Sequence, residues 1–145
     1  MEIERLTPEA GPRLRELRLR ALRDAPDAYS STFEESSRRP LEGWSTQIAA
    51  MATFIAVRDG RDVGLVRGAT DGSDPDTAWL LSMWVAPDAR GTGVGDALVD
   101  AVVGWARSAC KSQILLEVAD DNAPAIALYG RKGFEPNGRT VRLRT

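Results

Sequence analysis

The apolar positions along this chain change period several times, and each change marks an element. Alternation over residues 2–6 reads as a short strand, which Pro8 and the Gly11-Pro12 pair bring to an end. Leu14, Leu17, Ala21 and Leu22 then recur as one helical face, with Arg13, Arg15, Arg18, Arg20 and Arg23 mostly off it, where they read as a solvated surface. The stretch DAPDAYSSTFEESSRRP mixes turn formers with Tyr29 and Phe33, so it predicts a loop or broken helix able to wrap a site. Trp44, Ile48 and Met51 mark a second amphipathic helix.

From there the period shifts toward that of strands. TFIAVRDGRDVGLVRGAT is two apolar-rich runs about Asp59-Gly60, a hairpin signal, and DGSDPD turns the chain again into TAWLLSMWV. Three consecutive antiparallel strands are predicted. Val94, Leu98, Ala101, Val102, Trp105 and Ala109 repeat at helical spacing, and QILLEVA follows as a buried strand. A strand, a helix and a further strand form a right-handed crossover, which makes TAWLLSMWV and QILLEVA parallel neighbours. Asn122 stands where a helix cap belongs, APAIALYGRK is a short helix, and Gly133-Phe134 opens the last strand region. Only eleven residues follow Phe134, so the final strand is absent, shared with a partner chain in a homodimer, or made by a tight hairpin at Pro136-Asn137-Gly138. The fold class is α/β: a mixed sheet with antiparallel strands first and one parallel pair, flanked by helices.

Composition narrows the chemistry. The 145 residues suit one domain, residues 1–145, and a net charge of −2 gives no general attraction for nucleic acid or an anionic membrane. No apolar stretch approaches a membrane span and the acidic start MEIERL is no signal peptide, so a cytoplasmic protein is expected. The single cysteine, Cys110, excludes an internal disulfide framework and fits a reducing compartment. The chain has no histidine, which removes Ser/His and Cys/His catalytic pairs and every histidine-containing metal site; no metal is expected. Carboxylates, hydroxyls, amines and backbone groups are left to do any chemistry.

The loop VAPDARGTGVGDAL carries Gly91, Gly93 and Gly95 as G-x-G-x-G. A dinucleotide fingerprint needs G-x-G-x-x-G, and a P-loop needs Gly-Lys before Ser or Thr, whereas Gly95 is followed by Asp96 and Ala97. Neither pattern is met. The remaining readings are a flexible strand-to-helix turn, or an anion site in which glycine amides and the following helix's free first-turn N–H groups close on phosphate oxygens. Asp88 and Asp96 flank the loop, and their charge opposes an anion unless they are turned away or capped.

Arg90-x-x-Gly93-x-Gly95 after LLSMWVAP, followed by LLEVADDNAPAIALYGRKGF, resembles the GNAT superfamily of acetyl-CoA-dependent N-acetyltransferases over residues 79–135. The resemblance implies that the amides of Arg90, Gly91, Thr92, Gly93, Val94 and Gly95 hold the coenzyme A pyrophosphate. It also implies that backbone groups of Met83, Trp84 and Val85 pair with the pantetheine arm, and that Asn122 and Tyr129 belong to the same site. Asn122 and Tyr129 stand seven residues apart, on one helix face with Ala125 and Ile126. Residues 1–60 are similar to the variable acceptor-side portion of such enzymes.

An amine of pKa about 10.4 is neutral only about once in 10³ molecules at pH 7, a deficit of roughly 4–5 kcal/mol, so transfer needs a base or a tuned acceptor. Glu117, inside the apolar run ILLEVA and twelve residues before Tyr129, is the expected base, with burial favouring its uptake of a proton. A water relay to Glu34 or Glu35 is the other route. Tyr129 is the expected hydrogen-bond donor or acid to the departing thiolate, since a tyrosine near about 10 and a thiol near about 8.5 differ by roughly 2 kcal/mol. The function expected is acetyl transfer to a primary amine, on a small molecule or a peptide N-terminus, by direct attack. The competing reading is a non-catalytic acetyl-CoA-binding regulatory module.

Overall fold

A computed structural model describes residues 1–26 and 32–145. The described residues form β1 (Glu2–Arg5), α1 (Gly11–Asp24), α2 (Phe33–Ser37), α3 (Leu41–Ala50), β2 (Ala52–Arg58), β3 (Arg61–Thr70), β4 (Thr77–Val85), α4 (Val94–Ser108), β5 (Gln113–Leu116), α5 (Ala123–Arg131), β6 (Glu135–Asn137) and β7 (Thr140–Arg144). Tyr29, placed above in a wrapping loop, lies outside them. The strands make one sheet in the order β1-β2-β3-β4-β5-β7-β6, with β4 and β5 parallel and every other neighbouring pair antiparallel. The fold class expected from the pattern is the one observed.

The Asp59-Gly60 turn takes φ of 53° and 73° at its two residues, the left-handed pair that matches the twist of a two-residue hairpin. The chain closes with the third of the endings foreseen, a hairpin about Gly138 whose return strand β7 pairs with β5 through Leu116↔Val141 and Ile114↔Leu143. β5 is shorter than QILLEVA suggests, because pairing stops at Leu116 and leaves Glu117 outside the strand. α4 likewise ends at Ser108, so Ala109 is exposed rather than the last residue of the buried face.

Helix α4 lies directly on the sheet, burying Val94, Leu98, Val99, Val102, Val103 and Ala106. Two glycines in β3 permit that approach. A Cβ on Gly64 would sit 2.9 Å from Leu98 Cδ1, and one on Gly68 would sit 2.6 Å from the Trp105 ring. On α1 the leucine face is buried as expected, with Leu14 and Leu22 fully inaccessible, and the helix packs on Trp44 of α3.

The arginines of α1 correct the solvated-surface reading. Arg18 is 5% exposed. Arg13 grips Asp62 with Nε at 3.0 Å and Nη2 at 2.7 Å while its Nη1 donates to Glu4 at 2.7 Å. Arg20 donates to the Asp62 carbonyl at 2.9 Å and lies over the Trp84 ring, and Arg23 covers Phe33. A helical wheel separates faces but does not show Glu4 and Asp62 standing across from the polar one. Arg13 and Arg20 fasten α1 to the sheet, and Arg15 and Arg23 tie it to α2.

Because a Cβ on Gly68 would press into the partly buried Trp105 ring, Gly68→Ala is expected to destabilise the protein by about 1–3 kcal/mol in urea unfolding. Gly72→Ala, where an added Cβ meets nothing within 4 Å, is the neutral comparison.

Candidate functional site

The site begins where β4 and β5 part. They pair only through Thr77↔Gln113, Ala78↔Ile114 and Trp79↔Leu115, although β4 continues to Val85. On its other side β4 carries a bulge: Leu65 pairs with Trp84 and Arg67 with Leu81, so Val66 faces both Ser82 and Met83, and Ser82 takes a φ of 59°. A bulge bends its strand and sharpens the local twist, which turns the end of β4 away from β5. A wedge opens between two parallel strand ends.

Ser82, Met83, Glu117, Asn122 and Tyr129 line a cleft of about 330 Å³ in that wedge. Tyr129 is 6% exposed and edge-on to Phe134 with ring centroids 5.7 Å apart. Asn122 caps α5, its Oδ1 accepting from the Ala125 amide at 3.2 Å. Ile126 is not part of this group; it is 45% exposed, and Leu128 from the other flank of α5 approaches the glycine loop instead.

The burial expected for Glu117 is not there. It is exposed, one residue past β5, because the strand ends before the apolar run does. Its position in the wedge stands, and its desolvation does not. Glu34 and Glu35 lie on α2, where Glu34 is salt-bridged to Arg38 at 2.6 Å, and neither lines the wedge cleft.

A second cleft of about 560 Å³ shares Asn122 and Ala125 with the first and is walled by Val85, Arg90, Gly91, Gly93 and Gly95, with Leu128 and Arg131 from α5. Gly91 and Gly93 have φ of 75° and 89°, and nothing lies within 4 Å of an added Cβ at either, so conformation rather than space requires glycine there. Gly93 caps α4 without a side chain, and the first helical bond runs from the Ala97 amide to the Gly93 carbonyl at 3.1 Å. The earlier amides of that turn have no partner within the helix, so the end of α4 favours an anion. Gly95 is needed for packing as well, because Leu128 Cδ2 would be 3.1 Å from its Cβ. Val94 is buried and Trp84 turns its indole to α1, so these two can serve a ligand only through their backbone.

Both flanking aspartates are charge-paired, although Asp96 itself lines the second cleft. Arg61 hydrogen-bonds Asp88 and holds its carboxyl below the ordinary range, and Asp96 is paired with Arg131 at 3.1 Å and Lys132 at 3.8 Å. Arg90 donates from Nε to the Val85 carbonyl at 2.9 Å and pairs with Asp24 at the end of α1. The same Asp24 Oδ2 accepts from Trp84 Nε1 at 2.9 Å. No sequence signal marks Asp24 or Arg131, since their partners are remote in the chain. Left-handed glycines, open first-turn amides and neutralised neighbours fit a pyrophosphate.

The profile of the acetyltransferase (GNAT) family matches residues 15–134, and the chain belongs to that family. A mycothiol acetyltransferase from Thermobispora bispora is 34% identical over 122 residues, 81% of this chain and 40% of that protein. The chain therefore spans about two fifths of the length of that curated relative. Among solved structures, a GNAT-family acetyltransferase from Streptococcus pneumoniae superposes with a TM-score of 0.85 at 17% identity, covering 99% of this chain and 98% of that one. An N-acetyltransferase from Thermoplasma acidophilum in complex with coenzyme A gives 0.75 at 18% identity, covering all of both chains. At such identities the two structures speak for the fold.

Asp24 ties α1, β4 and the glycine loop together, and its carboxyl is held below the ordinary range first by the Trp84 indole and then by Arg90. A depressed carboxyl adds stability above its unfolded value of about 3.9, which is lost as the pH falls through the lower folded value. Asp24→Asn should cost about 1–2 kcal/mol in urea unfolding at pH 7, with the gap from the parent protein closing as the pH is taken below about 4.

Proposed function

We propose that this chain is an acetyl-CoA-dependent N-acetyltransferase acting on a primary amine, carried by a small molecule or a peptide N-terminus. The observation that carries the reading is the continuity of two clefts: the one that holds Glu117 and Tyr129 shares Asn122 and Ala125 with the one lined by the glycine loop. Bound acetyl-CoA supplies an acetyl group already activated as a thioester. The amides of Arg90, Gly91, Thr92, Gly93, Val94 and Gly95 receive its pyrophosphate, with Arg131 beside them. The β4 backbone at Met83, Trp84 and Val85 runs along the pantetheine arm, which brings the thioester into the wedge beside Asn122 and Tyr129.

Within the wedge the chain's own groups manage the protons. Glu117 takes the proton that the attacking amine must lose, and the Tyr129 hydroxyl donates toward the departing sulfur. The absence of histidine and the place of Cys110 beyond the end of α4 support a direct passage of the acetyl group to the amine, without an acyl-enzyme. The single free cysteine supports a reducing, cytoplasmic setting. No helix among the described residues is long and apolar enough to cross a membrane.

The test is release of coenzyme A thiol with a panel of polyamines, amino acids, aminoglycosides and peptide N-termini. Turnover is expected with at least one class, and Tyr129→Phe and Glu117→Gln should each lower kcat by about 10²-fold with coenzyme affinity held within about twofold. Unchanged rates for Glu117→Gln from about pH 6 to 9 would remove Glu117 as the base. Tight acetyl-CoA binding with no thiol release from any amine would make the chain a non-catalytic binding module.

A further inference from the structure

The charged side chains around the glycine loop are paired with one another: Asp24 with Arg90, Asp88 with Arg61, Asp96 with Arg131. Glu117 and Arg139 are not so paired, and neither are Asp120, Asp121, Glu135, Arg142 and Arg144 nearby; of these charges only Glu117 and Arg139 line one cleft together. Both are exposed, and among the described residues neither has an ion-pair or hydrogen-bond partner. Together with Val118 and Ala119 they line a third cleft, of about 500 Å³. Glu117, Val118 and Ala119 also line the cleft of Tyr129, so this third space borders the wedge.

The fold holds Arg139 there. It follows Gly138, whose φ of 67° makes the turn between β6 and β7, and the pairing of Leu116 with Val141 keeps that turn beside the end of β5. On β7, Arg142 stands between Leu115 and Glu135 and Arg144 opposite Gln113, so the neighbouring wall carries charge of both signs and Arg139 is the cation that reaches the cleft itself. A carboxylate and a guanidinium that share a cleft without neutralising each other present a dipole to whatever enters. An amine at the Glu117 end and an anion at the Arg139 end complement it, and the planar guanidinium suits a carboxylate in particular.

We infer, on the strength of the N-acetyltransferase reading above, that the acceptor is an amine that also carries a carboxylate, a molecule of the amino-acid type, with Arg139 holding the carboxylate while the amine lies at Glu117. As the acceptor nitrogen bonds to the acetyl carbon and the carbon–sulfur bond breaks, Glu117 takes the nitrogen's proton and Tyr129 offers one to the sulfur. Arg139 takes no part in that exchange; it selects and orients the acceptor.

Matched acceptors that differ by one carboxylate read this directly: lysine against cadaverine, and ornithine against putrescine, compared by thiol release within the wider amine panel. The amino acid of a pair should show a KM lower by about tenfold, as expected for one charge-assisted contact. Arg139→Gln should shrink that ratio toward one, and Arg139→Lys should keep part of it. Equal KM values within the pairs, a ratio untouched by Arg139→Gln, or turnover confined to amines without a carboxylate overturns the inference and leaves amine acetylation standing. Absence of turnover with every amine, in protein that binds acetyl-CoA, overturns both.

Discussion

Everything at the candidate site depends on the parting of two parallel strands. Had β4 and β5 stayed paired along their length, backbone would meet backbone where the clefts now lie. Instead the bulge of β4 at Ser82 and Met83 redirects its last residues, and β5 stops at Leu116. Ser82 adopts a left-handed φ without being glycine, a conformation that costs about 1–2 kcal/mol and persists only when its surroundings enforce it. On β3, Gly64 opposite Val85 and Gly68 opposite Leu80 flank the bulge and let α4 approach the sheet closely from one face.

The second constraint is electrostatic. The anion-binding end of α4 carries two aspartates in its own loop, at Asp88 and Asp96, and would be self-defeating if both faced the cleft. Arg61 pairs with Asp88, and Asp96, which lines the cleft, is offset there by Arg131 and Lys132. Arg90 is held in turn by Asp24 and by the Val85 carbonyl, which anchors the glycine loop to the strand it leaves and to α1. The loop is thus fixed by side chains and by the Arg90 amide, which donates to the Pro87 carbonyl at 3.4 Å, while the amides from Gly91 into the α4 first turn stay open. That division lets the backbone serve a ligand without having to order itself first.

What the sequence made legible follows the same division. The Asp59-Gly60 hairpin, the crossover through α4, the Asn122 cap and the glycine loop are all encoded within a few residues, in turn chemistry or periodicity. The readings that failed needed partners from afar. A helical wheel shows the α1 arginines as solvated because it does not show Glu4 and Asp62. The apolar run about Glu117 continues through Val118 and predicts burial, and nothing in that run says where hydrogen bonding to β4 and β7 ceases. The bulge has no glycine or proline to announce it. Asp24 stands among turn formers that would look the same if it touched nothing.

Donor and acceptor sides differ in legibility for a physical reason. A pyrophosphate is met by main-chain amides, and bringing them together demands glycines and a helix start at defined spacing, a local pattern that survives in the sequence. An acceptor is met by side chains gathered from separate places: Glu117 after β5 and Arg139 in the closing hairpin, across a cleft that only the β5–β7 pairing creates. No short spacing relates those two residues. Their shared feature, an unpaired charge on the wall of one cleft, is a property of the folded molecule. It emerges only when the closing hairpin is laid beside the end of β5, because the pairing of Leu116 with Val141 is what brings the two residues to the same cleft.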